Sequence, residues 1–539
     1  MATQDPDRPN ILLIMTDEQR WDTVGAAGNP IIQTPHLDRL AAEGVLFETA
    51  ITPTSVCAPA RAALMTGYAP SRIHFTSNGH YLADQQDTLP ALLTQAGYWT
   101  QALGKMHFKG PGAGFHKPWE ITYGFQDMVL SEETRWVRQA RDMESVAFDA
   151  YDQYLLSLGL WGWDIQGSIG YNEIKPLISP LPEEYGVTAW LGNRTVDWLR
   201  ERRQEPFFLF SSFVKPHPPF NPPENWAAMY DPYSLPPPVR APHELCRKNP
   251  HYADTRRRRK WDLYSEYAER LSRAYYYADV SLIDKHVGRI LDTLEEQGLR
   301  DNTYVIFTSD HGDMLGDHWM WLKTIGYDGS ARVPLIVAGP GVPRGVRVTG
   351  SVVNTLDIFA TILDRAGVPV AENRPSRDLL RYVTGEHPAS SEYVVSEVGK
   401  IGRRCRSIRT TGWLYMHWEG GGYEELYDLQ RDPGQLEDLA AVPGRAGIRR
   451  ELRTTLIDWL RQWGDPGWEL DERGDLTVQA YAAGKEQRWL PCPGGQTPAE
   501  FEVPPKPWSK EEDWWPWRWR AVDGDYRRLA DLANKLYGG

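Results

Sequence analysis

Up to about residue 390, unbroken apolar runs alternate with amphipathic stretches that close at or near glycine. Asn10–Met15 (NILLIM), Pro206–Phe213 (PFFLFSSF) and Thr303–Thr308 (TYVIFT) have the texture of strands buried on both faces of a parallel sheet. Tyr98–Leu103 is predicted as a further strand, and the end of HWMWLKTIGYDGSARVPLIV as another. Between them Thr34–Gly44, Thr88–Gly97, Thr188–Arg202, Tyr264–Gly298 and Asn354–Gly367 are predicted helices. The alternation is that of an α/β fold with a mostly parallel sheet. Past residue 390 the pattern shortens. Glu392–Val398, Ser407–Thr411, Gly412–Trp418 and Glu424–Asp428 are predicted strands of a small antiparallel sheet. The expected division is a large α/β unit over 1–390, a small unit over 391–475, and a Pro/Trp-rich extension over 476–539. Within the first, residues 110–185 have little periodicity and are expected to form a lid-like insertion over the carboxyl edge of the sheet.

Polar groups gather where the apolar runs stop. The first run ends at Asp17-Glu18, the second strand region at Lys105-Met106-His107, the third at Lys215-Pro216-His217, and the fourth at Asp310-His311. Open α/β sheets bind ligands at such carboxyl ends. Each group has a bland alternative: Asp17 as a helix cap, Lys105 and His107 as solvated loop residues, Asp310-His311 as structural. Thr54–Gly67 (TSVCAPARAALMTG) is predicted to place Cys57 at a helix N-terminus, with Pro59 in the first turn and Gly67 at the exit. Unpaired N–H groups there favour an anion, and Arg61 falls one turn on, on the same face. The alternative for this pair is a buried cysteine beside a surface arginine. Asn78 lies in a polar loop, able to cap a turn or reach a ligand. Oxygen plus imidazole, as in Asp310-His311, suits a metal.

The chain has 539 residues and a net charge of −13, which argues against a general nucleic-acid binder. Its four cysteines, Cys57, Cys246, Cys405 and Cys492, lack metal-type spacing; no disulfide framework is expected, and a reducing compartment fits better. MATQDPDRPN has no signal-peptide pattern and no apolar run approaches a membrane span, so a cytoplasmic location is expected. Arg256–Arg259 reads as a solvated face or subunit contact, and the tryptophans of Trp514–Trp519 as packing or a homo-oligomer contact in preference to carbohydrate binding.

Cys57-Ala58-Pro59-Ala60-Arg61 resembles the Cys-x-Pro-x-Arg maturation motif of type I sulfatases, in which the cysteine is oxidised to formylglycine. TPHLDRLAAEG and the following VLFETAITPTSVCAPARAALMTG resemble that family's N-terminal block, and Leu426-Tyr427-Asp428-Leu429 with Asp432-Pro433 its C-terminal sheet. Ile448–Trp463 would then be the helix covering that sheet. The order of motifs, through Lys323, resembles a type I sulfatase of the alkaline phosphatase superfamily over roughly 8–440. The resemblance implies an alkaline phosphatase-like three-layer α/β/α fold with a mostly parallel central sheet. It implies a divalent cation, Ca²⁺ first and Mn²⁺ or Mg²⁺ as alternatives, held by Asp17, Glu18, Cys57, Asp310 and His311. Glu18 stands where the family commonly has Asp, Asn or Gln, which leaves its role open. Arg61, Lys105 and Lys215 are expected to stabilise negative charge. His217 or Lys323 would protonate the leaving alcohol, and His107 would take a proton. Asn78, Lys105, His217 and Lys323 would bind substrate. The implied partners are a small sulfate ester and a formylglycine-generating enzyme. The sister phosphonate monoester and phosphodiester hydrolases share the cysteine motif, the Asp-His pair and an Asn like Asn78, but Lys105 and His107 favour the sulfatase reading. A non-catalytic binding protein is the remote alternative.

Overall fold

The computed structural model describes residues 8–78, 82, 87–107, 122–132, 148–163, 172–201, 206–246, 249–384, 393–400 and 402–481. The Trp514–Trp519 run, and with it the expected oligomer contact, lies outside them, as does much of the expected insertion. The strands up to residue 354 are β1 (Asn10–Asp17), β2 (Val45–Phe47), β3 (Ala50–Ile51), β4 (Trp99–Gly104), β5 (Asp127–Leu130), β6 (Phe207–Pro216), β7 (Thr303–Ser309), β8 (Arg332–Val333), β9 (Leu335–Ala338), β10 (Val346–Val348) and β11 (Val353–Asn354). Eight of them make one sheet in the order β10-β2-β9-β7-β1-β6-β4-β5. The block from β7 to β5 is parallel throughout; only β9 runs antiparallel to both its neighbours.

Strand periodicity builds the layers. Ile11, Leu13 and Met15 of β1 enter one core with Ala62, Met65 and Phe359, while Leu12 and Ile14 enter the other with Leu37, Leu191 and Val287. Helices Cys57–Thr66, Leu89–Gln95 and Asp357–Arg365 cover the first face. Pro35–Glu43, Val187–Glu201 and Glu266–Glu296 cover the second. This is the expected three-layer arrangement with a mostly parallel sheet. The register also assembles the site: β1 pairs Thr16 with Ser309 and Asp17 with Pro216, and β4 pairs Gly104 with Ser212.

Past residue 390, β12 (Val394–Val398), β13 (Cys405–Arg409), β14 (Trp413–Trp418) and β15 (Glu424–Asp428) form an antiparallel meander. One face, with Ile408, Tyr415 and Leu426, packs on Leu452, Leu456 and Leu460 of helix Ala446–Trp463. The other packs Met416 and Trp418 with Met314, Trp321 and Tyr327 from the loop after β7.

Two expectations change. The stretch 110–185 contains β5, an edge strand of the large sheet, and helix Ala150–Ser157, so part of it belongs to the main body. The arginine run lies in a helix, Pro250–Arg259, with Arg256 buried and Arg257–Arg259 exposed, in keeping with the solvated face expected for most of it. Cys246 is disulfide-bonded while Cys57 and Cys405 are free, which removes the cysteines as support for a reducing compartment. Among the described residues no helix is long and apolar enough to cross a membrane.

Candidate active site

Cys57 opens the helix Cys57–Thr66, every residue of which is buried. Its N-cap, Val56, has no side chain able to satisfy the first-turn N–H groups. Asn78 supplies that acceptor from 20 residues on: its Oδ1 takes the Ala58 N–H at 3.3 Å. Asn78 thus shows the capping alternative in place, beside the cysteine.

Three donors, from Asp17, Asp310 and His311, converge on the Cys57 sulfur. His311 Nε2 lies 3.0 Å from Sγ and 3.7 Å from both Asp17 Oδ1 and Asp310 Oδ1. Ligand atoms of Asp17, Cys57, Asp310 and His311 all lie within 4.8 Å of one another. That is the span across a cation whose donors stand at about 2.3–2.6 Å. Two details favour an ion. Asp17 Oδ1 is buried with no hydrogen bond among the described residues. The other ring nitrogen of His311 is tied at 2.9 Å to the Gly312 carbonyl, leaving Nε2 aimed at the cluster as metal-ligating imidazoles are. The donor set fits a divalent cation.

Each acid has a buried cation of its own. Arg61 Nε donates to Asp310 Oδ2 at 2.7 Å, and its Nη1 to the Lys105 carbonyl and Ser212 Oγ at 2.8 and 2.6 Å. Lys105 Nζ contacts Asp17 Oδ2. Lys323 Nζ lies 2.6 Å from Glu18 Oε2, and His217 Nε2 is 3.5 Å from that same oxygen. Gly104 makes the Lys105 placement possible. Its φ is +86°, and a Cβ there would meet the Ser212 carbonyl at 2.1 Å, so the chain turns off β4 only with glycine.

The charges shift one another. Burial works to raise the Asp17 carboxyl, but Lys105, His217, Lys323 and Arg61 hold it well below the usual range. Burial and Asp17 also work against a Cys57 thiolate, yet Lys323, His311 and Lys105 bring the thiol down to about 7. His311, disfavoured as a cation by burial, is held up to about 9 by Asp310 and Cys57. Lys323 is raised above its ordinary value: burial opposes its charge, but Cys57, Glu18 and Asp17 outweigh it.

The structure therefore brings Asp17, Cys57, Arg61, Lys105, Asp310 and His311 together, with Glu18, His217 and Lys323 alongside. Glu18 falls in a separate group with Asp17 and His217, not in the group of Asp17, Cys57, Asp310 and His311. Lys215 is a correction. Its three ammonium protons have three acceptors in its own loop, the carbonyls of His217 and Pro219 and Oδ1 of Asn221, at 3.3, 2.7 and 2.6 Å. It braces the segment carrying His217 and is not placed to stabilise a transferred group. His107 is buried, its N–H donating to Glu132 Oε1 at 2.7 Å.

Sequence reasoning missed four supports. Glu132 holds the Met106 and His107 N–H groups, and Ser212 holds Arg61. Tyr276 donates to the Glu18 carbonyl at 2.6 Å. Asp313 accepts the Leu315 and Leu322 N–H groups at 2.7 and 3.0 Å, closing the loop before Lys323. Only Asp313, inside Ser309-Asp310-His311-Gly312-Asp313, carried a local signal.

The chain matches known proteins over most of its length. The family model described as Sulfatase matches residues 9–368, and one described as N-sulphoglucosamine sulphohydrolase, C-terminal, matches 316–462. An arylsulfatase of Clostridium perfringens is 31% identical over 84% of this chain and 93% of its own length. A choline-sulfatase of Rhizobium meliloti is 30% identical, with 90% of each covered. The crystal structure of a phosphonate monoester hydrolase of Agrobacterium radiobacter matches with a TM-score of 0.72 and 27% identity, covering 88% of this chain and all of that one. The architecture is the alkaline phosphatase-like one. With the motif order, the buried donor cluster and these matches together, the chain belongs to the sulfatase family of the alkaline phosphatase superfamily and is a sulfuric ester hydrolase.

Proposed function

We propose that the chain hydrolyses aryl-type sulfate monoesters to alcohol and inorganic sulfate, with formylglycine made from Cys57 as nucleophile. The observation that carries this is the convergence of Asp17, Asp310 and His311 on the Cys57 sulfur within 4.8 Å. The sulfur stands where the oxygens of the matured residue would lie. Formylglycine would supply a hydrated aldehyde, one hydroxyl to attack sulfur and a second whose deprotonation lets sulfate leave; maturation requires a formylglycine-generating enzyme. A divalent cation held by Asp17, Asp310, His311 and residue 57 would acidify the attacking hydroxyl, with Ca²⁺ the first expectation and Mn²⁺ or Mg²⁺ alternatives.

The chain's own residues then have distinct work. Arg61 fixes the Asp310 carboxylate through Nε, and its positive charge acts on residue 57 through space. Lys105 holds Asp17 Oδ2, leaving Oδ1 for the cation. Lys323 is the proton donor to the departing oxygen, with His217, on the same Glu18 Oε2, the alternative donor. Glu18 anchors that pair and is not a ligand in this reading. His107, held by Glu132, is assigned to receive a proton.

A phosphonate monoester hydrolase is the second reading, favoured by the structural match to one. Comparing kcat/KM for p-nitrophenyl sulfate and p-nitrophenyl phenylphosphonate on one preparation separates the two. A sulfate preference of at least tenfold is expected; a phosphonate preference of that size would replace the first reading with the second.

A further inference from the structure

Away from the Cys57 centre, a cavity of about 310 Å³ opens between the first turns of helix Glu266–Glu296 and the loop joining His311 to Lys323. That is the lower end of the range for small-molecule pockets, about 300–1,000 Å³. Pro238, Trp319 and Trp321 give it flat apolar walls, and Arg240, Glu269 and Arg273 its charge.

The charges do not cancel. Arg240 bonds Glu269 at 2.9 Å and lies 4.1 Å over the Trp319 ring. Arg270 bonds Glu266 one turn away at 2.8 Å. Arg273 remains. It is only 8% exposed and makes no ion pair among the described residues. One Nη donates to the Pro236 carbonyl, while Nε is buried with no acceptor among the described residues. The carboxylate best placed to help, Asp317, is already engaged by Arg20 at 2.8 Å and by the Val239 N–H at 2.7 Å. Burial accordingly pushes the Arg273 guanidinium below its ordinary value. A guanidinium nevertheless keeps its proton in proteins, and a buried charge without a partner is costly. An anion entering the cavity relieves that cost.

We propose that this cavity is a second binding site, for a planar aromatic monoanion whose carboxylate or sulfonate-type head meets Arg273 and whose ring lies against the tryptophan and proline walls. The pairing is chemically matched: guanidinium forks suit planar oxyanions, and an apolar ring gains by leaving water. The wall tryptophans belong to the segment leading to Lys323, so an occupant would brace the approach to the catalytic centre from behind.

Isothermal titration of the full-length protein with 2-naphthoate and with 2-naphthalenesulfonate tests this, with inorganic sulfate present in excess to fill the catalytic centre. Saturable one-site binding of at least one probe is expected. Arg273→Gln should weaken it at least tenfold. Glu269→Gln, which removes the opposing charge and releases Arg240, should tighten it at least threefold, a change that misfolding cannot imitate. Preference for the carboxylate points to aryl acids as the natural occupant; preference for the sulfonate points to sulfated aryl compounds. Absence of saturable heat with both probes overturns the proposal. So does unchanged affinity in a folded Arg273→Gln protein, or binding by Glu269→Gln that is no tighter.

Discussion

Replacing Lys323 with methionine separates stability from chemistry at the leaving-group side of the site. Lys323 Nζ lies 2.6 Å from Glu18 Oε2, both side chains are buried, and His217 Nε2 stands 3.5 Å from the same oxygen. Methionine keeps most of the stem's volume but leaves Glu18 without its cation. Breaking a buried pair by removing one partner costs about 3–5 kcal/mol. The lower end applies here, because burial already pushes the Glu18 carboxyl well above its ordinary range and proton uptake offsets part of the loss. Removing a general acid costs roughly 10²–10⁴-fold in rate, about 3–5 kcal/mol at 1.36 kcal/mol per tenfold. The two losses are of similar size, so the double variant Lys323→Met/Glu18→Gln is the informative one. It removes the stranded charge, and its chemical-unfolding midpoint should recover most of the lost stability while kcat on p-nitrophenyl sulfate stays at least a hundredfold down. The loss should be greater still for an alkyl sulfate, whose leaving oxygen depends more on protonation. Recovery of activity along with stability, or equal losses for both leaving groups, would refute the role given to Lys323.

A divalent cation should raise the thermal midpoint of metal-stripped protein, by a stabilisation of about 2.7 kcal/mol at a hundredfold excess over its dissociation constant; Asp17→Asn should abolish that shift, and a shift that survives would place the ion elsewhere. Asp284 gives a pH test independent of the active site. From helix Glu266–Glu296 it accepts the Leu37 and His36 N–H groups of helix Pro35–Glu43, at 2.7 and 3.2 Å, and burial pushes its carboxyl up to about 7 from an ordinary 3.8. The folded state thus holds this proton more tightly than the unfolded chain. Stability from this group is intact below about pH 4 and is lost as pH rises through 7, by about 4 kcal/mol at 1.36 kcal/mol per unit. Asp284→Asn has no proton to lose, so urea midpoints should put it below the parent at pH 4.5 and level with or above it at pH 8; a gap independent of pH would contradict the sign.

What was legible in the sequence was what is local. NILLIM and TYVIFT are flanked by their own polar ends, so Asp17, Asp310 and His311 could be placed at one sheet edge, and parallel pairing of β1 with β7 puts them there. Pro59 and Gly67 likewise bracketed the Cys57 helix, whose observed ends are Cys57 and Thr66. Direction within a loop was not legible. Lys215 and His217 are two residues apart, yet His217 faces Glu18 while the Lys215 ammonium turns back on its own loop. Side-chain capping across the fold was equally hidden. Asp284 serves a helix some 248 residues away, and Ser212 reaches Arg61 across 151, contacts that leave no periodicity behind. Glu132 sat in a stretch whose composition suggested only a lid, because one edge strand of four residues is too short to show alternation.

The central claim is that residue 57 acts as formylglycine, and the mass of the peptide containing it tests this most directly. The peptide should come from protein made in its native host and shown to turn over aryl sulfate. The thiol should be replaced by an aldehyde. An intact Cys57 thiol in a preparation that hydrolyses aryl sulfate would contradict the account.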